Sequence, residues 1–116
     1  MQDATNGSAR APLLDPAHLD RQTAGDAALK AELLALFADQ CRRLLPVLED
    51  ASRPRTERAD AAHTLKGSAL GIGAARVAER ADAVESALRA ARGDGAAAIT
   101  ALAEDIAATL ARIGRA

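Results

Sequence analysis

The chain has 116 residues, with 15 basic and 16 acidic side chains and a formal net charge of -1. This length is enough for one domain with a single hydrophobic core. The near balance of charge argues against a nucleic-acid or anionic-membrane partner, and no stretch reaches the roughly 18 apolar residues of a membrane span.

The composition predicts an all-α fold. Hydrophobic residues make up 49% of the chain but aromatic residues only 1%. Because strands favour aromatic and β-branched residues, which are sparse here, helices are the expected elements.

The N-terminal residues 1–12 differ from the rest of the chain. They mix small polar residues with Gly and Pro, and they lack the basic and apolar segments of a signal peptide. We therefore expect a disordered tail over 1–12 and one helical domain over 13–116. The single cysteine, Cys41, excludes an internal disulfide and lies in an apolar helical pattern, which predicts a buried thiol. A lone cysteine also fits a reducing compartment, so we expect a cytoplasmic protein, with a monomer as the default state.

Two helices are predicted in the first half of the chain. Asp15 followed by Pro16 is typical of a helix start and predicts a short helix over about 16–22. Asp26 can cap a longer helix that runs to about residue 51. Its apolar residues recur at spacings of three and four: Leu29, Leu33, Leu36, Phe37, Leu44 and Leu48.

Three further helices are predicted over about 54–70, 74–91 and 96–113. Pro54 precedes the first of them, Gly71 and Gly73 separate it from the second, and a Gly-Asp-Gly turn precedes the third. Short connections between long helices favour antiparallel neighbours. The predicted fold is an antiparallel up-down-up-down four-helix bundle with a short additional N-terminal helix. Its apolar stripes comprise Val77, Ala81, Val84 and Leu88, then Ile99, Leu102, Ile106, Leu110 and Ile113.

The helix over 54–70 is expected to expose a histidine. With about 3.6 residues per turn, one face is predicted to carry Ala59, His63, Lys66, Gly67 and Leu70. The opposite, inward face is predicted to carry Ala61, Leu65, Ser68 and Ile72. A glycine inside a helix costs roughly 1 kcal/mol relative to alanine, so Gly67 indicates that another molecule approaches this face closely. The other histidine, His18, is interpreted as a surface residue of the first helix.

Several kinds of chemistry lack support. Neither histidine has companions at metal-ligand spacing, so no metal site is expected. There is no glycine-rich phosphate loop and hence no predicted ATP site. Ser68 and Ser86 have no nucleophile elbow or paired base, which argues against a hydrolase.

What remains is an exposed imidazole that can act as a nucleophile. Histidine has an ordinary pKa of about 6.5, so its neutral form is available near pH 7 to attack phosphorus. Lys66, one turn along, can bind phosphoryl oxygens, and Ala59 and Gly67 leave room for a partner. A carboxylate from the next helix can fix the second ring nitrogen.

The candidates for that carboxylate lie between Arg80 and Glu85, where the returning helix reaches the level of His63. Asp82 and Glu85 are the acceptors in this window, and spacing does not choose between them. Glu85 can alternatively pair with Arg89, four residues on along the same helix.

The motif resembles that of a known family. His63-Thr64-Leu65-Lys66-Gly67-Ser68, followed by Gly73-Ala74 and Glu85, resembles the signature of the histidine-containing phosphotransfer (HPt) domain of bacterial phosphorelays. The resemblance covers about residues 13–113 and implies a helical bundle with one phosphorylatable histidine. It implies that His63 is the phosphoacceptor, Lys66 the cation, Gly67 the clearance for a receiver domain and Glu85 the Nδ1 partner.

The sequence departs from the family pattern in places. Arg58 stands at an inward position where the family usually has an apolar residue, and we expect its guanidinium to reach outward to solvent.

The leading functional hypothesis is a phosphorelay intermediate that carries a phosphoryl group between His63 and an aspartate of a response-regulator receiver domain. It would be a carrier rather than an enzyme, with no intrinsic cofactor, with Mg²⁺ on the receiver and with a histidine kinase upstream. The alternative is a noncatalytic helical adaptor that binds a kinase or receiver domain. A kinase fragment is disfavoured because the sequence reads as a free-standing unit. Ala59, Gly67 and Leu70 are the predicted partner contacts.

Overall fold

The computed structural model describes residues 11–114, and these form five helices. They are α1 (Pro16–Thr23), α2 (Ala27–Glu49), α3 (Arg55–Ile72), α4 (Ala75–Arg89) and α5 (Ala96–Gly114). No strand occurs within these residues. The all-α class is therefore confirmed. Of the predicted tail over 1–12, residues 1–10 lie outside the described part of the chain.

Carboxylate caps start the first two helices, as the sequence predicts. The Asp15 side chain accepts hydrogen bonds from the backbone N–H groups of Ala17 and His18. Asp26 accepts one from the N–H of Leu29. Each cap satisfies donors that have no partner inside the helix.

The turn between α3 and α4 depends on Gly73. Helix α3 continues through Gly71 to Ile72, two residues beyond its predicted end, and Gly73 ends it with φ of 79°. A Cβ at Gly73 would lie 3.2 Å from the carbonyl oxygen of Asp15 and from the ring of His18. Glycine is therefore favoured both by its left-handed backbone and by the segment packed against it.

The segment before α1 lies across this turn. The Asp15 N–H donates to the Gly73 carbonyl at 3.0 Å. Arg76, in the first turn of α4, donates its backbone N–H to Pro12 O and its Nε to Ala11 O. These bonds attach the N-terminal segment to the same end of α3 and α4.

The four long helices pack in a ring around one core. Helix α3 contacts α2 and α4, and α5 contacts α4 and α2, while α1 lies on α2 and α3. The predicted stripe of α4 is buried throughout, and Cys41 of α2 is completely buried. The predicted burial of the Cys41 thiol is therefore confirmed, and this burial raises the pKa of the thiol to about 12.

The predicted stripe of α2 is only partly correct. Phe37 and Leu48 are buried, but Leu29 is exposed and Leu36 retains 59% of its accessible surface. Helix α2 packs against the other long helices on one side, so only part of its circumference is buried. Leu36 lies outside the part that α3 and α5 cover.

Arg58 is the clearest departure from the sequence-based expectation. It is only 4% exposed, and its Nε and Nη2 both donate to the carbonyl of Leu48, at 3.1 and 2.6 Å. The prediction that its guanidinium reaches solvent is wrong, because a carbonyl at the C-terminal end of α2 lies within the core and needs a donor. Arg58 thus joins α3 to the end of α2.

No helix in the described part of the chain combines the length and hydropathy needed to cross a bilayer.

Candidate functional site

His63 lies in the middle of α3, on the side that faces α4 and solvent. Its neighbours Ala62 and Leu65 are buried in the core, which fixes the rotation of the helix. The His63 side chain keeps 64% of its accessible surface. The imidazole is therefore held on a rigid element while one edge remains open.

Glu85 occupies the inner edge of that imidazole. His63 Nδ1 lies 3.2 Å from the Glu85 carboxylate, whose side chain is only 13% exposed. Val84, the residue before Glu85 in α4, and Leu88, one turn after it, are both buried, which places Glu85 at the boundary between the two helices.

The Glu85 carboxylate is ionised at neutral pH. Burial opposes its ionisation, but hydrogen bonds from Arg89, Lys66 and His63 outweigh burial and lower the pKa of Glu85 to about 2. An ionised carboxylate can only accept hydrogen bonds, so Nδ1 must be the donor. In the neutral imidazole, Nε2 is then the atom with a free lone pair.

Lys66 adds a positive charge beside the histidine. Its Nζ donates to Asp82 Oδ1 and to Glu85 Oε1, both at 3.1 Å. The hydrogen bonds to Asp82 and then to Glu85 raise the pKa of Lys66 above its usual value. Both carboxylates from the predicted window therefore reach the site, but Glu85 faces the imidazole and Asp82 binds the ammonium.

Arg89 bridges Glu85 and Asp60, and the sequence indicates only the contact with Glu85. Its Nε donates to Glu85 Oε2 and its Nη2 to Asp60 Oδ1, each at 2.9 Å. The spacing of four residues indicates the contact with Glu85, whereas the contact with Asp60 depends on how α4 lies against α3. The sequence reasoning did not include Asp60 in the site.

The surface beside His63 is open and partly apolar. Gly67 is exposed, and a Cβ at this position would meet no packed neighbour within 4 Å in the part of the chain that the structure describes. Leu70, one turn further, is 56% exposed. On the neighbouring side, Leu33, Leu36 and Phe37 of α2 line a shallow cleft with Ser68 and Ile72 of α3.

Ala59 does not lie on this surface. It is completely buried, so its predicted placement on the exposed face with His63 is wrong. The C-terminal end of α4 covers this part of α3, where Arg55 donates to the Leu88 and Ala87 carbonyls. A buried methyl group cannot contact a partner, although its small size lets α4 pack closely.

His18 lies at the end of α3 and not in the site around His63. Its Nε2 is 3.1 Å from the carbonyl oxygen of Gly71, which makes that nitrogen a donor. His18 is half-buried and helps α1 contact the end of α3.

Residues 11–114 contain no group of three His, Cys, Asp or Glu side chains that could hold a metal ion. The site instead combines an exposed imidazole with two cations and three carboxylates. This arrangement fixes one ring nitrogen and leaves the other accessible, which suits a group that is transferred to and from Nε2.

Comparison with known proteins assigns the family. A family model described as the Hpt domain matches residues 32–115. This range is most of the chain and contains His63, Lys66 and Glu85. No curated protein and no solved structure gave a significant match.

The chain belongs to the Hpt domain family. Hpt domains take part in phosphotransfer in two-component signalling, act there as phosphocarriers, and interact with histidine kinases and receiver domains.

Proposed function

We propose that this protein carries a phosphoryl group on His63 Nε2 and exchanges it with an aspartate of a response-regulator receiver domain. The observation that carries the proposal is that His63 Nδ1 lies 3.2 Å from the largely buried Glu85 carboxylate. The rest of the His63 side chain is exposed. A partner can therefore reach Nε2, the ring nitrogen whose lone pair is free to attack phosphorus.

In the accepting step, the Nε2 lone pair attacks the phosphorus of an aspartyl phosphate. The N–P bond forms while the bond from phosphorus to the acyl oxygen breaks, and the departing electron pair restores the aspartate carboxylate. Nδ1 keeps its proton, so the phosphorylated ring carries positive charge that Glu85 balances. In the reverse step, the electron pair of the N–P bond returns to Nε2.

Lys66 is proposed to bind the phosphoryl oxygens. Its ammonium lies one helical turn from His63 and is held at Asp82 and Glu85. Asp82 is well exposed, so its ion pair with Lys66 contributes little free energy and can be replaced by contacts between Lys66 and phosphoryl oxygens. Catalysis on this side then consists mainly of positioning and charge, as is typical of phosphoryl transfer.

The surroundings of the site support a domain-sized partner. Gly67 leaves space beside His63, and Leu70 supplies exposed apolar surface. We propose that a receiver domain docks here, contributing the aspartate and its Mg²⁺, and that a histidine kinase supplies the phosphoryl group upstream. A cytoplasmic location and a monomeric state stay predictions from the sequence.

The proposed architecture is the up-down-up-down arrangement of the four long helices, within a domain over 13–116. Contacts between α3 and α4 support the antiparallel pairing of these two helices. Asp60 binds Arg89, whereas Lys66, later in α3, binds Asp82, earlier in α4.

Phosphotransfer to His63→Gln tests the carrier. We expect wild-type protein to take acid-labile label from a phosphorylated receiver domain of its source cell, and His63→Gln to take none while binding the receiver with unchanged affinity. Persistent label on His63→Gln would overturn the proposal. A protein that binds the receiver but takes no label in its wild-type form would instead be the noncatalytic adaptor.

A further inference from the structure

Arg89 holds the carboxylate that faces His63, and this contact goes beyond an ordinary surface ion pair. Its guanidinium donates to Glu85 Oε2 within α4 and to Asp60 Oδ1 across the helix boundary. Asp60 lies one turn before His63 in α3. Arg89 thus connects the two helices one turn from His63.

The two oxygens of Glu85 are held by different cations. Arg89 binds Oε2 at 2.9 Å and Lys66 binds Oε1 at 3.1 Å, so rotation of the carboxylate is restricted at both oxygens. His63 Nδ1, at 3.2 Å, meets a group whose orientation is already determined.

The two cations are not equivalent in the proposed reaction. Lys66 has a flexible stem and leaves Glu85, at least in part, when it binds the phosphoryl group. Arg89 has a planar guanidinium with a second anchor at Asp60, so it can stay in place. When Lys66 moves, Arg89 is the cation that still restrains the Glu85 carboxylate beside His63 Nδ1.

We propose that Arg89 is a positioning residue that keeps Glu85 on His63 Nδ1 and so frees Lys66 to bind the phosphoryl group. This inference rests on the proposed phosphoryl transfer at His63. It assigns separate tasks to the two cations: Arg89 maintains the acceptor of the imidazole proton, and Lys66 neutralises the transferred group.

The charged groups around His63 belong to α3 and α4. Helix α3 contributes Asp60 and Lys66, while α4 contributes Asp82, Glu85 and Arg89. On α2, which also packs on α3, Asp39 and Arg43 pair with each other instead. Removing Arg89 therefore changes the Glu85 side of the imidazole without altering another direct contact of His63.

The test is the tautomer of the His63 ring, read from long-range ¹H–¹⁵N NMR spectra of ¹⁵N-labelled protein at a pH where the ring is neutral. Glu85→Ala defines the spectrum without the acceptor. We expect Arg89→Gln to shift the Nδ1–H share part of the way toward that of Glu85→Ala, because Lys66 still binds Glu85 Oε1 in the absence of phosphate. We expect Lys66→Ala to leave it close to the wild-type value, because Arg89 still holds Glu85.

A second readout is the rate at which phosphoramidate, a small phosphoryl donor, labels His63. For Arg89→Gln we expect labelling roughly fivefold slower than for wild type, the effect of losing one charged contact that positions a reacting group. Asp60→Asn, which leaves Arg89 and Glu85 in place but weakens the second anchor, should shift both readouts in the same direction by a smaller amount.

Arg53→Gln is the matched control. Arg53 also bridges two carboxylates, Asp50 and Glu57, but it lies outside the site near the start of α3. This variant should lose similar thermal stability and keep the wild-type tautomer and labelling rate.

The inference would be overturned if Arg89→Gln kept the wild-type tautomer and labelling rate and showed at most a lower melting temperature. Arg89 would then be a structural residue. The tautomer is measured without phosphate, so it tests Arg89 even if wild-type protein takes no label. Failure of wild-type labelling by every receiver and by phosphoramidate would contradict the proposed function instead.

Discussion

His63 differs from an ordinary surface histidine in how its two nitrogens are exposed. The Nδ1 edge is occupied from within by a carboxylate, and the other edge faces solvent. A free histidine in water can carry its proton on either nitrogen, but an ionised acceptor at Nδ1 favours one tautomer. The environment therefore selects Nε2 as the ring atom whose lone pair is free for the proposed attack.

Removing the charge of Lys66 tests its contact with the phosphoryl group. We expect Lys66→Ala to fold normally and to accept phosphate roughly tenfold more slowly, because a charge-assisted contact with the transferred group is lost. Lys30→Ala is the control, since Lys30 is the only other lysine of the chain and pairs with Asp20 on another face. Equal labelling rates for both variants and wild type would contradict the electrostatic role of Lys66.

Glu85 predicts a pH dependence of stability with a definite sign. Its pKa falls from an ordinary value of 4.5 to about 2 in the folded protein. A lowered folded pKa means that the contribution of Glu85 to the free energy of unfolding is complete above about pH 4.5 and declines as the pH falls toward 2.

Urea denaturation of wild type and Glu85→Gln between pH 2 and pH 7 measures this contribution. The difference in the free energy of unfolding should favour wild type at pH 7 and shrink below about pH 4.5. A difference that stays constant over the whole range would show that Glu85 does not gain its stability from the ionised form.

At the scale of the helices, periodicity accounts for most of what could be predicted. Each long helix carries an apolar stripe and a recognisable start or stop, so the number of helices and nearly all their ends follow from local pattern. The two errors in α3 have a different origin. Ala59 and Arg58 are buried by the end of α4 and the end of α2, and a single helix does not reveal what packs against it.

The Glu85 site shows the same limit. Spacing along the returning helix narrows the candidates to Asp82 and Glu85, but both reach the site and their different tasks depend on side-chain direction. Within the sequence, only the resemblance to the Hpt family favours Glu85 over Asp82 as the partner of His63 Nδ1. Asp60 was missed because its link to the site runs through Arg89, from the neighbouring helix.

Replacing each of two glycines at the end of α3 by alanine should change the stability of the protein in opposite directions. Gly73 has φ of 79° and close contacts with Asp15 and His18, so Gly73→Ala should destabilise the protein by about 1–2 kcal/mol. Gly71 lies inside the helix with open space at its Cβ position, so Gly71→Ala should stabilise by up to about 1 kcal/mol. Thermal unfolding of both variants measures this. Equal melting temperatures would contradict the assignment of the turn to Gly73.

At the scale of the whole molecule, the candidate site is one half of the reaction centre that the proposed transfer requires. His63, Lys66 and Glu85 lie on one side of the α3–α4 pair, and the surface beside them is open at Gly67. An aspartate and a metal ion must come from a second protein for the proposed transfer to occur.

Adding bulk at Gly67 tests this docking surface. Gly67→Gln should preserve the fold or stabilise the helix by up to about 1 kcal/mol, because Gly67 is exposed and a Cβ at this position meets no packed neighbour within 4 Å among the described residues. Transfer from a phosphorylated receiver should fall at least about tenfold through steric exclusion. Ala107→Gln, on the exposed side of α5, is the control for added bulk. Normal transfer by Gly67→Gln would place the docking surface elsewhere.

The central claim is that Nε2 of His63 carries the phosphoryl group, and ³¹P and ¹⁵N NMR of the phosphorylated ¹⁵N-labelled protein test it most directly. The protein is labelled by a phosphorylated receiver and examined at mildly alkaline pH, where phosphohistidine is preserved. The predicted result is one phosphorus resonance coupled to Nε2 of His63, with the proton retained on Nδ1. A phosphorus coupled to Nδ1, attached to His18, or bound to a carboxylate of this chain would contradict it.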